Sequence, residues 1–331
     1  MPRFSRILVA VKELDAKTHP SVLKAAQLAR ACGAEVDLFH SLTTPVYADI
    51  ATFSGQGLLA YEAGLRQRAV RRLETIADGL RLHSLKVSVA AEWDFPGYEA
   101  IIRRALKIKA DLIVASRHAG RHRAPWLLRL TDWELVRLSP IPVLLVKNPH
   151  AYRRPAILVA VDPTHAFAKP LQLDKRLLET GSLLSQQMRG TLHAVHAYAR
   201  LPLQSLQTEG MNADILERIE AQAERTAASS FKHVLRVTSI APSRRYLIGR
   251  HPVDAISEAA RKSHCGIVVM GAVSRTGLKS LLIGNTAERI IDELGCDILV
   301  VKPRAFVSRV ARTTRGPRLM VSSPAGDFGY Y

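Results

Sequence analysis

Residues 271–290 read GAVSRTGLKSLLIGNTAERI, with glycines at 271, 277 and 284 followed by an amide, a hydroxyl and helix formers. The apolar run GIVVM at 266–270 comes directly before, with the character of a buried strand. A strand that passes through a glycine-bearing loop into a helix can hold a phosphate. The first N–H groups of the helix lack partners inside it, and they carry the positive end of its dipole. Gly271, without a side chain, would let a ligand approach the backbone. Gly284 would turn the chain into a helix beginning near Asn285, where Asn285 and Thr286 could cap the helix or donate to a phosphate oxygen. Arg275 and Lys279 would add positive charge within the loop. The same residues have a plainer use: the glycines can serve a turn alone, and Asn285 a helix cap.

Other chemistry is sparse. The chain has no GxGxxG after its first strand, no GxxxxGK[ST], no GxSxG and no HxGH. His264 and Cys265 begin a strand, where neighbouring side chains face opposite ways and cannot chelate together. No catalytic residue and no metal site is therefore assigned. His40 and His196 fall at equivalent places near the ends of two strands. That recurrence suggests a shared task, most simply a hydrogen bond at the strand end.

The elements that must position these residues come as a repeat. ILVAV occurs at 7–11 and again at 157–161. AEVDLFHSL (34–42) matches GTLHAVHAY (190–198), ADLIVASRH (110–118) matches CGIVVMGAV (265–273), and PVLLVKNP (142–149) matches DILVVKPR (297–304). Four matched segments in one order indicate a duplicated domain. The expected domains are 1–149 and 155–303, joined by NPHAYRRP (148–155), with a basic, disordered tail at 304–331.

In the first half the apolar pattern predicts strands at 7–11, 36–42, 86–91, 111–115 and 142–146. Its helices fall at 20–32, 57–81, 98–109 and 131–138. In the second half strands are predicted at 157–161, 191–198, 244–249, 266–270 and 297–301. The helices are at 170–188, 212–235, 253–263 and 285–293. Apolar strands without alternation belong in parallel sheets covered on both faces, so the fold class is α/β, two tandem doubly wound five-stranded sheets with Rossmann-like or flavodoxin-like strand order. Ligands of such sheets bind beyond the carboxyl ends of the strands, where strand order reverses. Asp162, at the end of the strand 157–161, lies at that edge.

The chain has 331 residues, 47% hydrophobic and 23% charged, enough for two buried cores. No run reaches the roughly 18 apolar residues of a membrane span, and the start, MPRFSRILVAVKELD, reads as a strand rather than a signal peptide. Three scattered cysteines without a CxxC pair argue against a disulfide framework and for a cytoplasmic location. The net charge of +18 is spread out: +8 over residues 1–150 and +4 over 303–331. Only 6% of residues are aromatic, so the footprint of specific nucleic-acid recognition is weak, while non-specific attraction to polyanions fits.

The loop spacing brings a family into view. Universal stress proteins carry Gly-x2-Gly-x9-Gly-(Ser/Thr) after the fourth strand of such a domain. Here Gly271, Ser274 and Gly284 have that spacing, with serine for the second glycine and Asn285, next to Thr286, for the final hydroxyl residue. The ending AERIIDELGCDILVVKP (287–303) and the tandem arrangement with TDWELVR (131–137) also resemble the family's two-domain members, over nearly all of 5–303. The resemblance implies an adenine nucleotide alpha hydrolase-like fold. It also implies a candidate site of Asp162, Ala197, Met270, Gly271, Ser274, Gly284, Asn285 and Thr286, with ATP as the ligand to test.

In the first half the loop aligns as Ser116-x2-Ala119-x9-Arg129-Leu130, and Lys12 replaces Asp162. This half is expected not to bind ATP in the family's manner; RHAGRHRAPWLLR (117–129) is instead a basic loop, either solvated or a partner face. The resemblance further implies an intramolecular pseudo-dimer through the last strands, action by binding ligand and protein partners, and an association with stress and DNA-damage tolerance. Two other classes stay open: a slow ATP hydrolase or nucleotidyl transferase, and a carrier of an apolar ligand such as an acyl chain.

Overall fold

A computed structural model describes residues 4–43, 46–48, 55–117, 125–164, 172–198, 213–271, 285–316, 319–322 and 328–330. Their contacts divide the chain into two units, Tyr152–Phe306 and Arg3–Ala151 with Val307–Tyr331. Each unit is built on the apolar runs of the repeat. Ile7, Leu8 and Val9 of the first, and Ile157, Leu158 and Val159 of the second, have no exposed surface. Apolar strands hidden on both faces need helices on both sides, and the alternation of the sequence supplies them.

In the first unit, β1 (Arg6–Ala10), α1 (Pro20–Cys32), β2 (Glu35–Leu42), β3 (Val46–Ala48), α2 (Gly55–Arg81), β4 (Val87–Trp93), α3 (Gly97–Lys107), β5 (Leu112–Ser116), α4 (Pro125–Leu138) and β6 (Val143–Val146) follow in order. The parallel strands stand as β4-β2-β1-β5-β6. Local signals place the ends of α1. Proline opens it, and Gly33 closes it at φ 66°, a left-handed cap that fits glycine. Helix α2 buries Ala69, Leu73 and Ala77, one stripe at four-residue spacing.

The second unit repeats the plan with β7 (Ala156–Val161), α5 (Leu173–Gln187), β8 (Thr191–Ala197), α6 (Ala213–Val234), β9 (Arg245–Ile248), α7 (Pro252–Lys262), β10 (Cys265–Gly271), α8 (Asn285–Glu293) and β11 (Asp297–Val301). Its order is β11-β10-β7-β8-β9. Counting the five long strands of either unit from one, the order is 3-2-1-4-5. This is the Rossmann-like of the two expected orders, and it reverses between the first and fourth strands.

The disordered tail expected from residue 304 is corrected by the structure. Val310 is buried, at 8% exposure, and the chain is anchored just after it. Arg103 donates to the Ala311 carbonyl at 3.2 Å, the Arg315 backbone N–H to Asp94 Oδ1 at 3.0 Å, and the Arg315 guanidinium to Glu99 Oε1 at 3.0 Å. Farther on, β12 (Leu319–Ser322) pairs in parallel with β3 and antiparallel with β13 (Phe328–Tyr330). The reason is electrostatic and non-local. Asp94 and Glu99 are buried carboxylates that share one buried guanidinium, Arg103, which grips Asp94 at 2.6 and 2.7 Å and Glu99 at 2.9 Å. A second cation brought by the tail balances the cluster, as buried charge requires.

Candidate functional site

Register places part of the predicted set of the second unit at one sheet edge. Val161, the last residue of β7, pairs with His196, so Asp162 and Ala197 follow side by side. Val269 of β10 pairs with Val159, which brings Gly271 level with Val161 across the point where strand order reverses. Three of the eight predicted residues, Asp162, Ala197 and Gly271, therefore meet at the carboxyl edge. Met270 is directed otherwise: at 5% exposure its side chain is core and supports the edge from beneath.

Asp162 is half-buried and held locally. Its backbone N–H donates to both carboxylate oxygens of Asp174, at 3.2 and 3.3 Å, and Thr164 donates its hydroxyl to Asp162 Oδ1 at 3.3 Å. Asp174 lies in the first turn of α5, where the helix dipole favours a carboxylate. The Asp162 carboxylate is thus held at the strand end, where a carboxylate can accept hydrogen bonds from a ligand's hydroxyl or amino group.

Gly271 has a packing reason as well as a ligand reason. A Cβ built there would lie 2.9 Å from Leu173 Cδ2 and 3.7 Å from Leu177 Cδ1. Helix α5 comes so close to the end of β10 that only glycine fits without displacing Leu173. Beside this turn, Lys175, Arg176 and Arg304 line a cavity of about 440 Å³ with Gln172, Glu179 and Pro303. Burial and the neighbouring Arg304 pull the Arg176 pKa below its ordinary value, and Arg176 donates to the Lys302 carbonyl at 2.6 Å.

Helix α8 starts at Asn285, where the sequence places it, and presents its N-terminus after β10. The side chains of Asn285 and Thr286, and the whole of 272–284 with Ser274, Gly284, Arg275 and Lys279, lie outside the described residues.

The first unit carries different chemistry at the same edge. Lys12, which follows β1, forms an ion pair with Asp132 of α4; their side chains are 19% and 9% exposed. Arg117, just after β5, lies 5.5 Å from the ring centre of Trp133, within cation–π range. Helix α4 runs from Pro125, six residues before the predicted start at 131. Arg129 and Leu130 therefore lie inside a helix, their N–H groups committed to the turn before, where the phosphate turn would need free ones. Residues 118–124 of the basic loop are outside the described residues, as is the side chain of Trp126. Asp132 was missed by sequence reasoning. The signal was present in an acidic residue of an apolar helix opposite an unexplained lysine, but the pair is separated by 120 residues.

The recurrent histidines share one task. His40 Nδ1 donates to the Val11 carbonyl at 2.7 Å, and His196 Nδ1 to the Val161 carbonyl at 3.3 Å. Each ties the end of a unit's second strand to the end of its first. Burial pushes the His40 pKa below its usual value, against the opposing effect of that hydrogen bond. Among the described residues no group of three or more His, Cys, Asp or Glu could hold a metal ion.

The profile of the universal stress protein family matches residues 3–147 and again 154–302. The chain belongs to the universal stress protein family. Each match coincides with one five-stranded sheet, so the duplication seen in the sequence is a duplication of the family's domain. Universal stress protein E of Photorhabdus laumondii is 26% identical over 317 residues, covering 92% of this chain and 97% of its own length. Universal stress protein E of Escherichia coli K12 is 25% identical over 321 residues, covering 94% and 98%. Each of these matches runs through both units of this chain.

Among solved structures, a universal stress protein of Pseudomonas aeruginosa UCBPP-PA14 superposes with a TM-score of 0.65 at 23% identity, covering 91% of this chain and 94% of its own. One from Archaeoglobus fulgidus gives a TM-score of 0.57 at 16% identity, covering 89% and 96%. Both are similar in fold.

Proposed function

We propose that this universal stress protein acts by binding rather than by turnover, with an ATP-type nucleotide as ligand of the second unit and the first unit serving structure and protein contacts. The observation that carries this reading is the contrast at the carboxyl edge. The second unit has Asp162, Gly271 and a helix beginning at Asn285 at the switch of strand order. The first has a lysine–aspartate pair and a helix already under way. A nucleotide would place its phosphates against the start of α8, with Ser274, Gly284, Asn285 and Thr286 around them, and its sugar or base toward Asp162 and Ala197. The lysine and arginines beside α5 favour an anion on the same side of the sheet.

The wider reading rests on the family. The two copies pair as an intramolecular pseudo-dimer, act in the cytoplasm, and contribute to stress and DNA-damage tolerance through ligand and partner binding. Among the described residues no helix is long and apolar enough to cross a membrane.

The test is mass spectrometry of small molecules released from protein purified without added nucleotide, repeated on Gly284→Val. Nucleotide from the wild type and little from the variant supports the reading. No nucleotide from either, with no heat on adding ATP, overturns it, and an extracted acyl chain would replace it with a lipid carrier. ATP turnover lost in Asp162→Ala would make the protein a slow hydrolase.

A further inference from the structure

A second constellation lies at the opposite, amino-terminal ends of β10 and β11. Cys265 begins β10 and Cys296 immediately precedes β11. The strands are parallel neighbours with Ile267 opposite Asp297, so the two cysteines sit one register step apart. Strands ~4.8 Å apart with a rise of ~3.3 Å per residue put their Cα atoms about 6 Å from each other, inside the range a disulfide spans. Their thiols are within hydrogen-bonding reach of one another.

The backbone is irregular at this place and nowhere else along β10. The register with β7 shifts between Cys265 and Ile267, and His264 holds a left-handed φ of 48°. A bulge of this kind re-aims a side chain, here the thiol of Cys265. Both cysteines are half-buried, and both line a cavity of about 810 Å³ whose polar walls include Arg250, Arg261, His264, Asp254 and Glu293. A small oxidant can reach them there.

We propose that Cys265 and Cys296 form an oxidisable dithiol, a site for a peroxide as substrate, closing to a disulfide that staples β10 to β11. The two thiols have different parts. Cys265 Sγ donates to the Ile267 carbonyl at 3.0 Å and also contacts the Ala156 carbonyl at 3.5 Å, so its proton is held. The hydrogen bond with Cys296, together with burial, raises the Cys265 pKa well above its ordinary value, which suits a thiol that reacts second.

Cys296 therefore attacks first. Its thiolate sulfur takes one peroxide oxygen, the O–O bond breaks, and the departing hydroxide leaves as water with the thiol proton. Cys265 then attacks the sulfenic sulfur of Cys296. The S–S bond forms, the S–O bond breaks, and the second hydroxide leaves as water with the proton of Cys265. Two thiols and one hydrogen peroxide become one disulfide and two waters.

The experiment treats the full-length protein with hydrogen peroxide, blocks remaining thiols, and maps peptides by mass spectrometry without reduction. Cys32, half-buried in the other unit, is the internal control. The expected product is a Cys265–Cys296 cross-linked peptide, reversed by dithiothreitol, that accumulates before Cys32 is modified. Cys265→Ser should lose the link and leave a sulfenic acid on Cys296 that dimedone traps. Oxidation confined to Cys32, or separate sulfinic acids on Cys265 and Cys296 with no link, overturns the proposal. The wild-type map decides between these outcomes even if a variant folds poorly.

Discussion

The two units share a strand order, a covering of helices and a histidine tie between their first two strands, yet they differ in how charge is disposed. The first unit keeps charge inside. Arg103 bridges two buried carboxylates, and Lys12 closes on Asp132 at the edge where a ligand would enter. The second puts the corresponding charge in water. Glu258, at the place in α7 that Arg103 holds in α3, pairs with Lys262 at 2.6 Å and Arg250 at 3.4 Å on the surface. Its carboxyl edge carries Asp162, which accepts from Thr164, and the start of α8 at Asn285. Duplication thus left equivalent helix positions free to hold a buried cation in one copy and a surface carboxylate in the other. A fold that needs only apolar strands for its core leaves both options available.

The largest break in that comparison is at Arg103. Arg103→Ala leaves Asp94 and Glu99 buried without their shared cation and should cost about 3–5 kcal/mol, whereas Glu258→Ala should cost less than about 0.5 kcal/mol. Urea unfolding of both variants checks it, and equal losses would end the distinction between an internal and a surface network. Next comes Gly271. Gly271→Val presses on Leu173 and should cost about 2–3 kcal/mol, seen as a lower denaturation midpoint. Ser116→Val, at the matching strand end of the first unit, should cost less.

A smaller effect separates the two strand-end residues. Lys12→Ala strands the mostly buried Asp132 and should cost about 2 kcal/mol, while Asp162→Ala should change stability by less than about 1 kcal/mol and instead weaken nucleotide binding. Calorimetry of folding and of ATP binding on both variants reads the two effects separately.

The smallest effect concerns pH. The folded pKa values of His40 in one unit and His193 in the other are lowered chiefly by burial. The unfolded chain binds protons on these groups first, so their contribution is full above pH 6.5 and is lost as pH falls from there through the folded values. His40→Gln should flatten this loss by less than about 1 kcal/mol, measured as the change in unfolding midpoint between pH 7.5 and pH 5.5.

Much of the architecture was legible because its causes are local. The repeated ILVAV, the stop at Gly33 and the helix start at Asn285 each rest on residues within a few positions of one another. Helix α4 began earlier than its apolar period suggested because Pro125 can open a helix without needing its own N–H. The tail was misread for a different reason. Four- and three-residue strands have no period to detect, and β12 exists because β3, more than 270 residues earlier, offers it an edge. The candidate site was legible as a set of types and spacings, but Met270 belongs to the core and Gly271 also answers to Leu173, facts that depend on where α5 lands.

The sequence by itself determined the duplicated α/β plan and the family, since burial of apolar runs and the spacing of a glycine loop are written in consecutive residues. Only the tertiary structure decided which charges meet. Lys12 with Asp132, Arg315 with Asp94 and Glu99, and Cys265 beside Cys296 are each far apart in the chain. Their pairing depends on register and on the desolvation of charge, which no local pattern records.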